Sequence, residues 1–307
     1  MFARSAEPAI PKSLPAFLAV WVVACVCGLS GCRAIQSPQL ELPSNQRDWR
    51  PELATLATAE FHDDETITVR NIRNCSYFTE DIYVVNHYDK TFDLNRIRAV
   101  DFIVVPFKLT PSLAHTMLSF EFAGDDSPAT PTSSSPLGPI AGKTEHLAVS
   151  VEARLENNES YSPIKGKSKQ FELMYVVADE RDVLRLRTEH RDVDVYVYRI
   201  RTSPERVRNL FVDVMQRANH IAENPEFYDT ISNNCTNNIV RHINKLHPGR
   251  VPWDPRTLLP GLSDRLAYDL GLLDTSKPFD ELKQAAHINE AAKRAANLPE
   301  FSDVIRR

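Results

Sequence analysis

Apolar and polar positions change rhythm three times along this chain, and each rhythm predicts a different kind of element. Residues 14–29 form one nearly unbroken apolar run through Phe17, Leu18, Val20, Trp21, Val22 and Val23, ending at Ser30, Gly31 and Cys32. From Thr66 the pattern is short and strand-like, which predicts strands over 66–72, 82–88, 101–107, 115–122, 146–154, 171–177 and 193–200. The third rhythm is helical. Ser203-Pro204-Glu205 is a capped start with proline at the first helical position, and Val207, Leu210, Phe211, Val214, Ala218 and Ile221 follow at helical spacing. A second helix is predicted over 235–246, Pro248, Gly249 and Pro252 break the chain, and two or three further helices are expected within 255–298. Two segments have no periodicity: the Ser/Pro/Gln/Asn-rich residues 33–58, read as a tether, and the Pro/Ser/Thr/Gly-rich residues 124–145, read as a long hairpin loop. The expected fold class is α+β, a mostly antiparallel sheet packed on a cysteine-bearing helix, with C-terminal helices. The expected division is 1–31 signal, 32–58 tether, 59–248 main domain and 249–307 helical extension.

The opening run reads as a processing segment, because Arg4 and Lys12 supply positive charge ahead of it and small residues precede the cysteine. Leu29-Ser30-Gly31-Cys32 resembles the lipobox of bacterial lipoproteins, in which the cysteine sulfur is acylated and becomes the mature N-terminus. Two acyl chains suffice for stable anchoring. The alternative is an uncleaved transmembrane anchor, since about 17 residues is the lower limit for a span. Arg33 follows the cysteine where an aspartate would favour inner-membrane retention. The expected location is therefore the cell envelope, on the outer membrane facing the periplasm.

Composition narrows the partners. At 42% hydrophobic and 25% charged, the chain is ordinary globular material, and a formal charge of −5 argues against nucleic acid. The expected partners are membrane lipid through Cys32 and an acyl-lipid, lipoprotein or peptide substrate. Of the five cysteines, Cys25 and Cys27 leave with the signal and Cys32 is the lipidation candidate. Cys75 and Cys235 then remain as the only thiols, and in an oxidising compartment they are a possible disulfide pair. With no Cys-x-x-Cys pair and no histidine cluster at ligand spacing, no metal site and no cofactor are expected.

Candidate chemistry starts at Asn233-Asn234-Cys235. Asn234 is a favoured N-cap, which places Cys235 in the first helical turn, where unpaired N–H groups and the helix dipole favour thiolate. Helical spacing aligns Cys235 with Ile239, His242, Ile243 and Leu246, so a small buried apolar role is the competing reading. A nucleophilic thiol needs a base within reach. His242 lies seven residues on, about 10 Å along the helix, which is too far. His115 opens the predicted strand 115–122. If that strand folds back through the long loop onto 146–154, Glu152 becomes its neighbour and can orient the imidazole, with Glu121 as competitor. Asp179-Glu180-Arg181-Asp182 is expected as a solvated turn.

Several separated motifs then carry a resemblance: Thr68-Val69-Arg70-Asn71-Ile72, Tyr88-Asp-Lys-Thr-Phe-Asp-Leu, Val100-Asp-Phe-Ile-Val-Val-Pro-Phe, Ala114-His115-Thr-Met-Leu-Ser-Phe, Leu147-Ala-Val-Ser-Val-Glu152-Ala-Arg, Tyr161-Ser-Pro, Glu172-Leu-Met-Tyr-Val-Val-Ala-Asp-Glu-Arg-Asp and Asn233-Asn-Cys235-Thr-Asn-Asn-Ile-Val. In this order, over residues 60–247, the chain resembles the Lnb N-terminal periplasmic domain family. That family is related to papain-like thiol enzymes of the NlpC/P60 kind in a permuted order, with the histidine strand before the cysteine helix. The resemblance implies a papain-like fold with Cys235 as nucleophile and His115 as base; Glu152 as third member rests on the hairpin argument. Arg73, Asn234 and Tyr161 fall in or beside matched motifs and are candidate substrate-binding residues. Membrane-embedded relatives are implicated in N-acylating lipoproteins through a cysteine thioester, and no second apolar run of spanning length follows here.

Three functions follow as expectations. The first is a lipid-anchored cysteine acyltransferase or hydrolase acting through an acyl-thioester on Cys235. The second is a cysteine peptidase or amidase acting on cell-wall or protein peptides. The third is a non-catalytic envelope lipoprotein with Cys75 and Cys235 bridged. An apolar groove beside Cys235 supports the first, and a polar one the second.

Overall fold

A computed structural model describes residues 42–124 and 144–307. The expected signal segment 1–31, the lipidation candidate Cys32 and residues 125–143 of the expected hairpin loop lie outside the described residues. Residues 43–307 form one compact unit.

Ten strands follow in chain order: β1 (Thr58–Phe61), β2 (Thr66–Arg73), β3 (Ser76–Tyr77), β4 (Tyr83–Val84), β5 (His87–Asp93), β6 (Ile97–Phe107), β7 (Thr110–Phe122), β8 (Glu145–Arg154), β9 (Glu172–Asp179) and β10 (Tyr196–Arg199). Eight of them build one sheet in the order β1-β2-β9-β8-β7-β6-β10, with β5 also paired to β2; β3 and β4 form a separate small hairpin. Every pair is antiparallel except β2 with β9, where Arg73 faces Ala178. The architecture is thus α+β with a mostly antiparallel sheet.

Helices cover both faces, which explains why the central strands are apolar at consecutive positions rather than at alternate ones. Chain order gives α1 (Pro51–Ala54), α2 (Pro163–Gly166), α3 (Glu180–Arg185), α4 (Pro204–Glu223), α5 (Cys235–Leu246), α6 (Ser263–Asp269), α7 (Phe279–Ala286), α8 (Asn289–Ala295) and α9 (Phe301–Val304). On one face Phe102, Val104, Leu118, Phe120, Leu173 and Tyr175 pack with Phe211 and Val214 of α4 and Ile239 of α5. Phe211 meets Phe120 at 5.0 Å and Phe122 at 5.2 Å between ring centres, in edge-on arrangements. Each such buried side chain contributes about 1.5–3 kcal/mol from area alone. The alternate residues Ile103, Val105, Met117, Ala148, Met174 and Val176 face Val183 and Leu184 of α3, Ala292 of α8 and Phe301 of α9.

The two predicted helix starts hold. Ser203 caps α4 with Pro204 at its first position, and Asn234 caps α5, accepting from the Asn237 N–H. Other boundaries move. The strand expected at 115–122 begins at Thr110, because the β6–β7 hairpin turns tightly at 108–109, so His115 sits inside β7 rather than at its mouth. The strand expected at 82–88 is split between β4 and β5.

The tether expected over 32–58 does not extend through its described end. Trp49 and Leu53 are buried, Asn45 donates to the Ile221 and Ala222 carbonyls at 3.2 and 2.8 Å, and the Arg154 guanidinium stacks on Trp49 while donating to the Leu53 carbonyl at 2.8 Å. Two apolar anchors in a polar segment are enough to dock it. At the other end, residues 249–307 carry short helices that pack on both faces, Ala267, Leu273 and Ala286 on the side of α4 and α5 and Ile288, Ala292 and Phe301 on the other, and Arg306 pairs with Asp101 at 2.8 Å and with Glu180. Glu180 and Asp182 are accordingly buried, which corrects the reading of 179–182 as a solvated turn.

Candidate active site

The pairing of β7 with β8 ends at Met117↔Ser150. His115 and Glu152 each lie one step past that last pair on the same face, which brings them together as the hairpin argument expected. Their closest approach is 3.1 Å, from His115 Nε2 to Glu152 Oε1. Ser150, two residues before Glu152 and therefore on its side of the strand, fills the gap: its hydroxyl lies 2.6 Å from His115 Nε2 and donates to Glu152 Oε1 at 2.6 Å. A hydroxyl that donates to the carboxylate is left to accept from the imidazole, so Nε2 carries the hydrogen there.

Cys235 approaches this fork from the first turn of α5, where it is buried, within electrostatic reach of His115, and 3.9 Å from the Thr236 hydroxyl. Burial alone pushes the thiol up; the hydrogen bond and positive charge of His115, with hydrogen bonds from the Thr116 hydroxyl and N–H, outweigh it and bring the thiol down to about 7. Burial likewise opposes the imidazolium, but Glu152 and the thiolate raise His115 to about 9. The ordinary order of a thiol and an imidazole is thereby reversed, so the resting pair near neutral pH is thiolate and imidazolium.

Glu152 is the keystone of that reversal. Burial works against its charge, yet His115, Arg187 and Ser150 hold the carboxyl well below the usual carboxylate range. Arg187 donates to Glu152 Oε1 at 3.2 Å and to the Val183 carbonyl at 2.9 Å, from a π-helical turn at Leu186–His190. Such turns re-aim side chains and recur at functional sites. Neither Arg187 nor Ser150 stands out in the sequence. Glu121, the competing orienter, instead pairs with Arg199.

The three candidate substrate-binding residues separate. Tyr161 is 37% exposed and packs against Phe171 and Tyr228, 5.9 and 6.1 Å between ring centres. Tyr228, which no sequence motif marks, is buried; burial first and then the Cys235 charge push its phenol up. Both rings lie within electrostatic reach of the thiol. Asn234 is buried with both ends of its amide occupied, Oδ1 by the Asn237 N–H at 2.8 Å and Nδ2 by the Thr230 carbonyl at 2.7 Å, so it serves the helix cap rather than a substrate. Arg73 is likewise corrected: its guanidinium grips Asp182 at 2.8 and 3.1 Å and points its remaining donor to the Glu52 carbonyl. Cys75 is a free thiol beside that pair, and Cys235 is free as well, so the alternative of a bridge between them is not what the structure has.

The fold and site define a class: a mixed α+β domain in which a helix-terminal thiol is paired with a histidine and a carboxylate from the central sheet. The chain belongs to the Lnb N-terminal periplasmic domain family, whose model matches residues 84–261 and so spans Cys235, His115 and Glu152. The match starts later than the motif resemblance suggested and runs further, to the turn before α6. Family membership carries a periplasmic envelope location. No curated protein and no solved structure matches the chain. No helix among the described residues is long and apolar enough to cross a membrane.

Proposed function

We propose that this protein is a lipid-anchored, cysteine-dependent acyltransferase or hydrolase of permuted papain-like type, held at the outer membrane through Cys32. The observation that carries this reading is the buried thiol of Cys235, drawn down to about 7 by the neighbouring His115, which is itself backed by Glu152 at 3.1 Å. The thiolate attacks the carbonyl carbon of an acyl ester, and the N–H groups at the start of α5 receive the oxyanion. As the carbon–oxygen bond breaks, the His115 imidazolium gives its proton to the departing alcohol, leaving an acyl-thioester on Cys235. An amine or water then attacks the thioester, His115 takes the proton, and the thiolate is released.

The rim of the site favours an acyl chain over a polar peptide. Ile164 is 85% exposed and Ile231 46%, beside Tyr161, on two segments joined by the Thr230 hydroxyl donating to the Pro163 carbonyl at 2.9 Å. The exposed Lys165, Lys167 and Lys169 follow Ile164. An apolar edge fringed with lysines suits a bilayer surface, where apolar side chains and cations both find partners.

The test is to incubate the full chain with a phospholipid acyl donor, quench in acid and map acyl adducts by mass spectrometry. The expected adduct is on Cys235, absent in Cys235→Ala and far weaker in His115→Ala. An adduct located elsewhere, or undiminished in His115→Ala, ends the proposal.

A further inference from the structure

A second site lies along the helix that carries the thiol. Between the sheet and α5 is an apolar cavity of about 140 Å³, bounded by Phe102 and Leu118 of the sheet, Leu210 of α4, Ile243 of α5 and Leu266 of α6. Its inner end is marked by Thr236, whose hydroxyl is 3.0 Å from that of Thr116, so a polar pair stands between this space and the Cys235 side of the helix. The cavity does not include Cys235 in its lining, and its inner end abuts the thiol only through the Thr236 hydroxyl, 3.9 Å from Sγ. From Thr236 to Leu246 it follows α5 for about 15 Å.

The far end is basic. Arg201, Arg206, His247 and Arg250 belong to the wall there. Arg201 and Arg206 are exposed, and among the described residues neither makes an ion pair, although Asp274 lies within electrostatic reach of Arg201. Arg250 donates to the Leu270 carbonyl at 3.0 Å. An interior this apolar offers water few partners, and dry cavities of about 150 Å³ accept small hydrocarbon ligands. Guanidinium groups at its mouth select a carboxylate or phosphate. α6 and residues 263–272, which lie beyond the family match, supply part of the wall.

We propose that this cavity binds a single-chain anionic amphiphile, its tail directed inward toward Thr236 and its headgroup held by Arg201, Arg206 and Arg250. A free fatty acid and a monoacyl phospholipid share that chemistry. The site does not depend on the thiol chemistry, and the test is made without it.

Full-length Cys235→Ala protein is titrated calorimetrically with dodecanoate, monoacyl phosphatidylglycerol and dodecanol, each below its aggregation concentration. Saturable one-to-one binding of an anion is expected, with dodecanol about tenfold weaker for want of the charge contacts. Arg201→Glu combined with Arg206→Glu, both on the surface, should weaken the anions about tenfold and leave dodecanol unchanged. Tighter binding of the phospholipid assigns a membrane source, and tighter dodecanoate a free fatty acid. Ala267→Phe, which fills the cavity, should abolish binding without lowering the melting temperature; if that variant fails to fold, the arginine pair decides. Absence of saturable binding, or equal affinity for dodecanol together with no effect of the double substitution, overturns the proposal.

Discussion

Cys75 and Cys235 are both free and both buried, yet they arrive at opposite protonation states. At Cys75, just past the end of β2, burial and the Asp182 carboxylate act together, and the thiol is pushed up to about 11 although Arg73 pulls the other way. The Cys75 N–H donates to the same carboxylate at 2.7 Å, so the negative charge is fixed beside the sulfur. At Cys235 burial also works against ionisation, but the nearest charged partner is an imidazolium and the thiol comes down to about 7. Seclusion from water therefore does not distinguish a structural from a reactive cysteine; the sign of the adjacent charge does. Each partner is in turn held by a charge of its own, Asp182 by the buried Arg73 and His115 by the half-buried Glu152 with Arg187.

The most damaging way to break the comparison is at the structural pole. Asp182→Asn leaves the buried Arg73 guanidinium without its counter-charge and should cost about 3 kcal/mol of stability, read as a lower denaturant midpoint. A change below about 0.5 kcal/mol would show that the pair holds nothing in place. Next is the contrast itself. At pH 7 about half of Cys235 but only about one in ten thousand of Cys75 is thiolate, and the weaker intrinsic nucleophilicity of the more acidic thiol returns part of that gap. Iodoacetamide should label Cys235 on the order of a hundredfold faster, measured by peptide mass spectrometry. Equal rates would mean the two environments are chemically alike. The third test removes the imidazole. Labelling of Cys235 should rise with pH through about 7 and level off; in His115→Ala that rise moves above the ordinary thiol range, and the rate at pH 7 falls on the order of tenfold. An unmoved profile would detach histidine from the thiol.

Much of this site is legible in the sequence because it is local or follows from a hairpin. The Asn234 cap fixes Cys235 in a first turn, and antiparallel pairing of β8 with β7 sets His115 against Glu152; both steps use short-range rules. What is lost is what arrives from elsewhere in the chain. Arg187 is brought in by a π-helical turn that no periodicity announces, and Tyr228 by a coil segment. The acidic run 179–182 misleads because charge density suggests solvent, whereas Arg73 and Arg306, over a hundred residues away on either side, bury it. Trp49 and Leu53 mislead in the same way, as two apolar residues in a stretch whose composition says linker.

The smallest expected effect sharpens the comparison most, because it separates the charge at Glu152 from its shape. Glu152→Gln preserves volume and leaves an oxygen to accept from Ser150 and Arg187, but removes the charge that raises His115 to about 9. The imidazole then titrates lower, so the imidazolium needed to protonate a leaving group is lost at lower pH. Activity in the unaltered protein should fall as pH rises through about 9, and in Glu152→Gln that alkaline limb should move down toward the ordinary histidine range. The thiol responds in the opposite sense: with less imidazolium beside it, Cys235 binds its proton more tightly and the acid limb moves up, which narrows the working window from both sides. The carboxylate side chain is 28% exposed, so water replaces part of its effect and the loss in labelling rate at pH 7 should be only a few-fold. Cys75, whose charged neighbours are Asp182 and Arg73, should keep its rate unchanged. If both limbs of the Cys235 profile stay in place while activity drops, Glu152 acts by holding the ring's position alone, and the reversed thiol–imidazole order must come from the helix terminus and Thr116.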